Sequence, residues 1–262
     1  ALYAFDAALV LTTNQIWCVT NTAVASTSLT ATGRISDGTS TNGITLKGDG
    51  LLTLSGDNTY DGATIVSTGC VLRVAHRNAL GSTAANTVVQ AGGKLEISGN
   101  VNLAEPIQLS GDFSGPLGAL YSVSGTNSVS GAITQSSRSR IGAAGGSSLQ
   151  IAGGLSGPGV FVSPEAGACV QFIAQPVLIG SSWVYVYGQG IVAFGNTGNT
   201  WNTLEIADSY VRLDAPNTLP ANSIVQMGST NLFNATLDLN GNDQTVAQLK
   251  RSAITVGNRL VT

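Results

Sequence analysis

Apolar residues recur at every second position in short bursts along this chain. In "GDGLLTLSGDNTYDGATIVSTGCVLRVA", Gly48 to Ala75, the bursts are Leu52 and Leu54, then Ile65, then Leu72 and Val74. Each burst stops at a cluster of Gly, Asn or Asp, residues suited to tight turns. A period of two predicts short strands that follow one another with no helix between them. It also assigns faces. Leu72, Val74, Leu95, Ile97, Leu237 and Leu239 point inward, and Arg73, Glu96 and Asp238 point outward. A slip of one residue would bury all three charges, so the register is well specified.

The strands lie too close together to enclose crossover helices, and the turns are mostly not the two-residue kind that closes a hairpin. What fits is an all-β, right-handed parallel β-helix: a coil of strand, bend, strand, bend, with about 20 to 25 residues per coil, each stacked on the last. One coil is too short to bury its own apolar face. At about 25 cal/mol per Å² of apolar area, the interior offsets the ordering entropy only when several coils stack. Residues 1–262 therefore read as one β-helix domain.

The chain also repeats itself. "NTYDGATIVSTGCVLRVAHRNALGSTAANTVVQAGGKLEISGN" from Asn58 parallels "NTWNTLEIADSYVRLDAPNTLPANSIVQMGSTNLFNATLDLNGN" from Asn199. Both run from an Asn-Thr-aromatic turn through an apolar strand to a strand with an outward Arg, and both end on "KLEISGN" or "TLDLNGN". The copies span about 48–110 and 198–257. The stretch "GDGLLTLSGDNTYDGATIVSTGCVLRVAHRNALGS" resembles the passenger-associated strand repeat of autotransporter-type bacterial surface proteins, with its "LTLSG" start, "G-x-L-x-V" strand and "A-L-G-S" close. The second copy is looser, with "NTLPANS" in place of Ala-Leu-Gly, and Gly111 to Gly195 matches only in texture. The resemblance implies a secreted β-helix at a bacterial cell surface, serving as stalk or display surface. No outer-membrane barrel follows, which implies a released piece or another use of the motif.

Composition narrows the partners. Charged residues make up 10% of the chain and hydrophobic residues 43%, with 33 Gly and a formal net charge of -3. Such a chain exerts no long-range pull on phosphate backbones, so nucleic acid is not an expected partner. No apolar run reaches the roughly 18 residues that span a bilayer, so no membrane insertion by this chain is expected. The opening "ALYAFDAALVLTT" is broken by Asp6 and lacks a basic n-region, so it reads as a mature start. Cys18, Cys70 and Cys169 have neither zinc-site nor CxxC spacing and read as packing residues.

Catalytic chemistry is sparse. The 14 acids are dispersed, whereas cleavage of a glycan needs acids converging on one groove. His76, the one histidine, sits in a turn with no nucleophile elbow anywhere in the chain. Asp57, Thr59 and Asp61 imitate the start of a calcium loop, but Thr68 stands where its closing Glu should be, so an Asx-stabilised turn is expected. "RSR" at Arg138 to Arg140 reads as a solvated pair in a Ser-rich turn. No catalytic residue, metal or cofactor is assigned.

The candidate surface is "SSWVYVYGQG". If Val184 and Val186 face inward, Trp183, Tyr185 and Tyr187 form an outward aromatic row, the kind of contiguous surface that marks an interaction site. The other reading is that these rings fill a wide interior. The ends are the second candidate: Ala7, Leu9 and Leu11 at one, Ile254, Val256 and Leu260 at the other, both strand-like and without a cap. They point to self-association of copies head to tail, or to the remainder of a larger β-helix. The expected function is a non-catalytic extracellular structural or adhesive β-helix: a stalk, surface-display segment or filament subunit. The alternatives are a polysaccharide-active β-helical enzyme and a module that binds surface glycans through the aromatic row.

Overall fold

A computed structural model describes residues 1–21, 26–111, 118–228, 234–251 and 259–262. Among them there is no helix, and the strand pairings are parallel throughout. The chain winds as a parallel β-solenoid of about 11 turns. A typical coil has three strands, as in Leu120–Ser124, Thr126–Val129 and Ile133–Gln135, which define faces one, two and three. The circuit takes 20 residues where Leu52 pairs with Leu72 and 26 where Tyr3 pairs with Leu29.

Stacking in register converts the sequence alternation into columns. On face one, Tyr3, Leu29, Leu52, Leu72, Leu95, Leu120, Ile141, Val162, Val186, Ile206 and Met227 lie one above another. From Leu52 to Met227 the column is buried. The next position is the exposed Arg251, while Tyr3 at the other end is 60% exposed. Leu72, Val74, Leu95, Ile97 and Leu237 are buried as the alternation requires, and Leu239 packs half-buried against the core. Leu95→Ala leaves a cavity in the middle of this column and is expected to cost about 2 to 5 kcal/mol. Urea denaturation followed by circular dichroism measures it, and a loss below about 1 kcal/mol would show that the column is not close-packed.

The outward charges differ in one respect from the sequence reading. Arg73 and Asp238 are partly open, but Glu96 is only 6% exposed. It stands on the outer side of its strand, yet Arg73 donates to its Oε2 at 2.7 and 2.9 Å and Lys94 to its Oε1 at 3.2 Å. Coil stacking puts Arg73 and Tyr121 directly beside it. Lys94 on the same strand and neighbours one coil away, not the interior, cover the carboxylate.

The two sequence copies keep their local roles but change faces. Asn58 Oδ1 accepts from Ile35 N–H at 2.8 Å and its Nδ2 donates to the Ala79 carbonyl at 2.6 Å, tying three coils together. Asn199 does the same between Val177 N–H at 2.8 Å and the Thr218 carbonyl at 2.9 Å. The aromatics two residues on, Tyr60 and Trp201, are both buried. Yet Val71–Val74 lies on face one, and its counterpart around Val211 pairs with Ala235–Asp238 on face two. Lys94–Ser98 on face one corresponds to Ala235–Asp238 on face two, so Glu96 and Asp238 occupy different sides of the solenoid.

Candidate functional site

The continuous strand Trp183–Phe194 runs along face one and turns onto face two. Val184 and Val186 are fully buried in the interior. The alternation therefore sends Trp183, Tyr185 and Tyr187 outward, and the reading in which these rings fill the interior is set aside. Trp183 is 44% exposed, while Tyr185 and Tyr187 are half-buried.

Neighbouring coils complete the patch. Arg140, Phe161, Tyr185 and Glu205 share one row across four coils. The Phe161 and Tyr185 rings meet edge to face at 5.4 Å, and Tyr185 and Tyr187 lie 5.7 Å apart. The Arg138 guanidinium lies 5.8 Å from the Phe161 ring centre and that of Arg140 5.0 Å from Tyr187, within range of cation–π attraction. Gly159 makes room for this: a Cβ there would stand 3.1 Å from Arg138 Cδ and 2.7 Å from Ser182 Oγ. The expectation of a solvated Arg138–Arg140 pair in a turn holds for the exposed Arg138 and is corrected for Arg140. Arg140 belongs to the strand Ser139–Ala143 and is half-buried, and both guanidinia lie against rings contributed by later coils.

Two corner clefts flank the row. Beyond Tyr187 the register slips against the next coil, and Gly188 has φ +113°, where a Cβ would sit 2.4 Å from the Pro164 carbonyl oxygen. The outward bend opens a cleft of about 420 Å³ lined by Ser163, Glu165, Tyr187 and Gln189 among others. In it the buried Ser163 Oγ has no hydrogen-bond partner. Glu165 Oε1 accepts from the Tyr121 hydroxyl at 2.5 Å and Oε2 from Gly145 N–H at 3.1 Å. Burial, followed by this bond to Glu165, pushes the Tyr121 hydroxyl above its ordinary pKa, so it remains a donor. At the Trp183 end, Ser181, Asn199, Asn202 and Asn222 line a second cleft of about 310 Å³.

Other candidates resolve into coil-to-coil contacts. Asp57 Oδ1 accepts from Asn78 at 2.7 Å and Asp61 Oδ1 from Ser82 at 2.5 Å. His76 Nδ1 accepts from Asn78 N–H at 3.2 Å. Among the described residues no three His, Cys, Asp or Glu side chains converge as a metal site. Cys70 is buried, Cys18 exposed and Cys169 intermediate, all as free thiols. Of the end residues, Ala7 and Leu260 are exposed, Leu9 packs partly buried on the core and Leu11 is buried. Ile254 and Val256 lie outside the described residues.

Fold and surface together define a parallel β-solenoid whose polar side chains chiefly join coil to coil. Residues 44–74 match the passenger-associated-transport-repeat family, and chain and fold fit an autotransporter passenger-type β-helix. The matched segment contains Asn58, Tyr60 and the inward Leu52, Leu54, Leu72 and Val74, the residues that set one coil upon the next. No curated protein and no solved structure matches the chain.

Proposed function

We propose that this chain is a non-catalytic structural segment of a secreted bacterial surface protein, a stalk that carries and displays its outer faces. The observation that supports it is the face-one column in register from Tyr3 to Met227, interior from Leu52 onward. Each coil is the template for the next, so stiffness and length are what the sequence specifies. Among the described residues Leu2–Phe5 is paired on one side alone, with Ser28–Ala31, and Phe5 meets the half-buried Trp17 with ring centres 5.9 Å apart. One further coil seats there, supplied by the same polypeptide or by another copy. In a head-to-tail contact, Arg251 of one copy continues the column onto the Tyr3 ring of the next.

Sedimentation and negative-stain imaging of the 262-residue chain test this. Rods of about 50 Å, from about 11 turns at ~4.8 Å each, or end-to-end multiples of them, are expected. Globular particles would refute the stalk, and rods that stay single at high concentration would refute the contact between copies. A companion expectation concerns chemistry. Incubation with pectin, alginate and neutral polysaccharides, with and without calcium, should release no reducing ends or unsaturated products. Turnover abolished by one acid substitution, Glu165→Gln first, would make the protein an enzyme.

A further inference from the structure

We infer that the outer patch around Trp183 is a binding site for a neutral polysaccharide chain. This goes beyond the stalk reading and does not depend on it. Four features of the site carry it.

The first is a free stacking surface. Phe161, Tyr185 and Tyr187 hold one another, with Arg138 and Arg140 packed on two of the rings. Trp183 extends this fixed base, is 44% exposed, and has no aromatic or cationic partner among the described residues. A large apolar ring kept in water on a rigid strand costs little further ordering when it binds, since two χ angles are all it has to lose. The apolar face of a pyranose ring is the complement of such a surface.

The second is shape. Trp183 to Tyr187 spans about 13 Å at ~3.3 Å per residue, and the row is open to a cleft at each end. An elongated track running between two recesses suits a chain of sugar rings better than a single small molecule. The third is the chemistry of the recesses. Asn202 and Asn222 at one end, Gln189 and Glu165 at the other, supply amides and a carboxylate, planar groups that pair with neighbouring hydroxyls. The fourth is charge. The two arginines are matched by Glu165 at the cleft and by the half-buried Asp208, which pairs with Tyr187, while the buried Glu205 lies behind Tyr185. A polyanion would therefore meet carboxylates along the same track, which selects an uncharged chain.

The test is titration of the intact chain with cellohexaose, xylohexaose and mannohexaose, and with polygalacturonate and heparin as acidic probes, by calorimetry and tryptophan fluorescence. The expected result is saturable binding of at least one neutral hexasaccharide, little changed between 50 and 500 mM salt. Trp183→Ala should weaken it about tenfold or more, as loss of a central aromatic anchor does, with an unchanged thermal midpoint. Trp183→Phe should retain most of it. The inference is overturned if none of the three neutral probes binds, if binding survives Trp183→Ala, or if only the acidic probes bind and salt abolishes them. None of these outcomes alters the shape seen by imaging, so the stalk reading stands or falls separately.

Discussion

Gly131→Ala is expected to destabilise the solenoid by at least about 3 kcal/mol, beyond the 1 to 3 kcal/mol typical of overpacking. Gly131 turns the corner between Thr126–Val129 and Ile133–Gln135. A Cβ there would stand 2.1 Å from the Glu105 carbonyl oxygen and 2.4 Å from its carbon. One coil further, a Cβ on Gly153 would stand 2.1 Å from the Gly131 oxygen. Both glycines are required by approach, because the obstructing atoms are backbone and cannot swing aside. Relief would need the coils to separate, which lengthens the bonds from Ser130 and Gly131 N–H to the Leu103 carbonyl, now 2.7 and 3.3 Å. Gly146→Ala is the control. It has φ +77° but nothing within 4 Å of the added carbon, so it should cost only about 1 kcal/mol. Equal losses at the two positions in urea unfolding would show that the corner is not closely stacked.

The second large effect is a pH dependence at the same corner. Glu105 is 4% exposed inside the coil. Its Oε1 accepts from Thr87 Oγ1 at 3.0 Å, and its Oε2 has no partner. Burial pushes its pKa up to about 8, against a smaller opposing pull from the Thr87 bond. The folded state therefore holds a proton that the unfolded chain releases near the ordinary carboxyl value. Stability from this group is fully present below about pH 4.5 and is lost as pH rises toward 8, with a slope near 1.4 kcal/mol per pH unit. The total is on the order of 5 kcal/mol. Glu105→Gln keeps the shape and removes the titration, so the variant should overtake the parent increasingly between pH 5 and 8. A stability difference between the two that stays constant over that range would mean that the carboxyl is solvated or paired when the protein is folded.

The architecture was legible because inward and outward positions alternate cleanly: "VLRVA" and "KLEIS" fix their faces without reference to anything distant. The same rule set Trp183, Tyr185 and Tyr187 opposite Val184 and Val186 but left open which of the two sets faced the interior; the burial of the valines decides it. Glu105, by contrast, lies in a corner where no period applies, and nothing local marks it as buried. The rest of the aromatic patch was hidden for a different reason. Phe161 meets Tyr185 only because that circuit is 24 residues long, Val160 to Val184, and the one before it 21, Ile141 to Val162. Corner lengths vary from coil to coil, so which outward residues become neighbours cannot be read until the circuits are known. Arg140 was misplaced for that reason, and the cover that Arg73 and Tyr121 give Glu96 was missed for it too.

The one-face displacement between the Asn58 and Asn199 copies constrains how such a stack can be cut and joined. A splice from Asn58 to Thr200, the residue after its counterpart Asn199, would look seamless in sequence. In space it joins a chain leaving face two to one that belongs on face three. Inward and outward parity would survive, but the winding would be out of phase by a third of a circuit, and every column beyond the junction would stand above the wrong neighbour. Whole circuits behave otherwise. Cutting after Leu95 and rejoining at Gly142, the residue that follows Leu95's column partner Ile141 two coils on, shortens the rod without changing its phase. The unit of exchange in this molecule is thus the closed circuit, and sequence identity between copies is not a guide to where one begins.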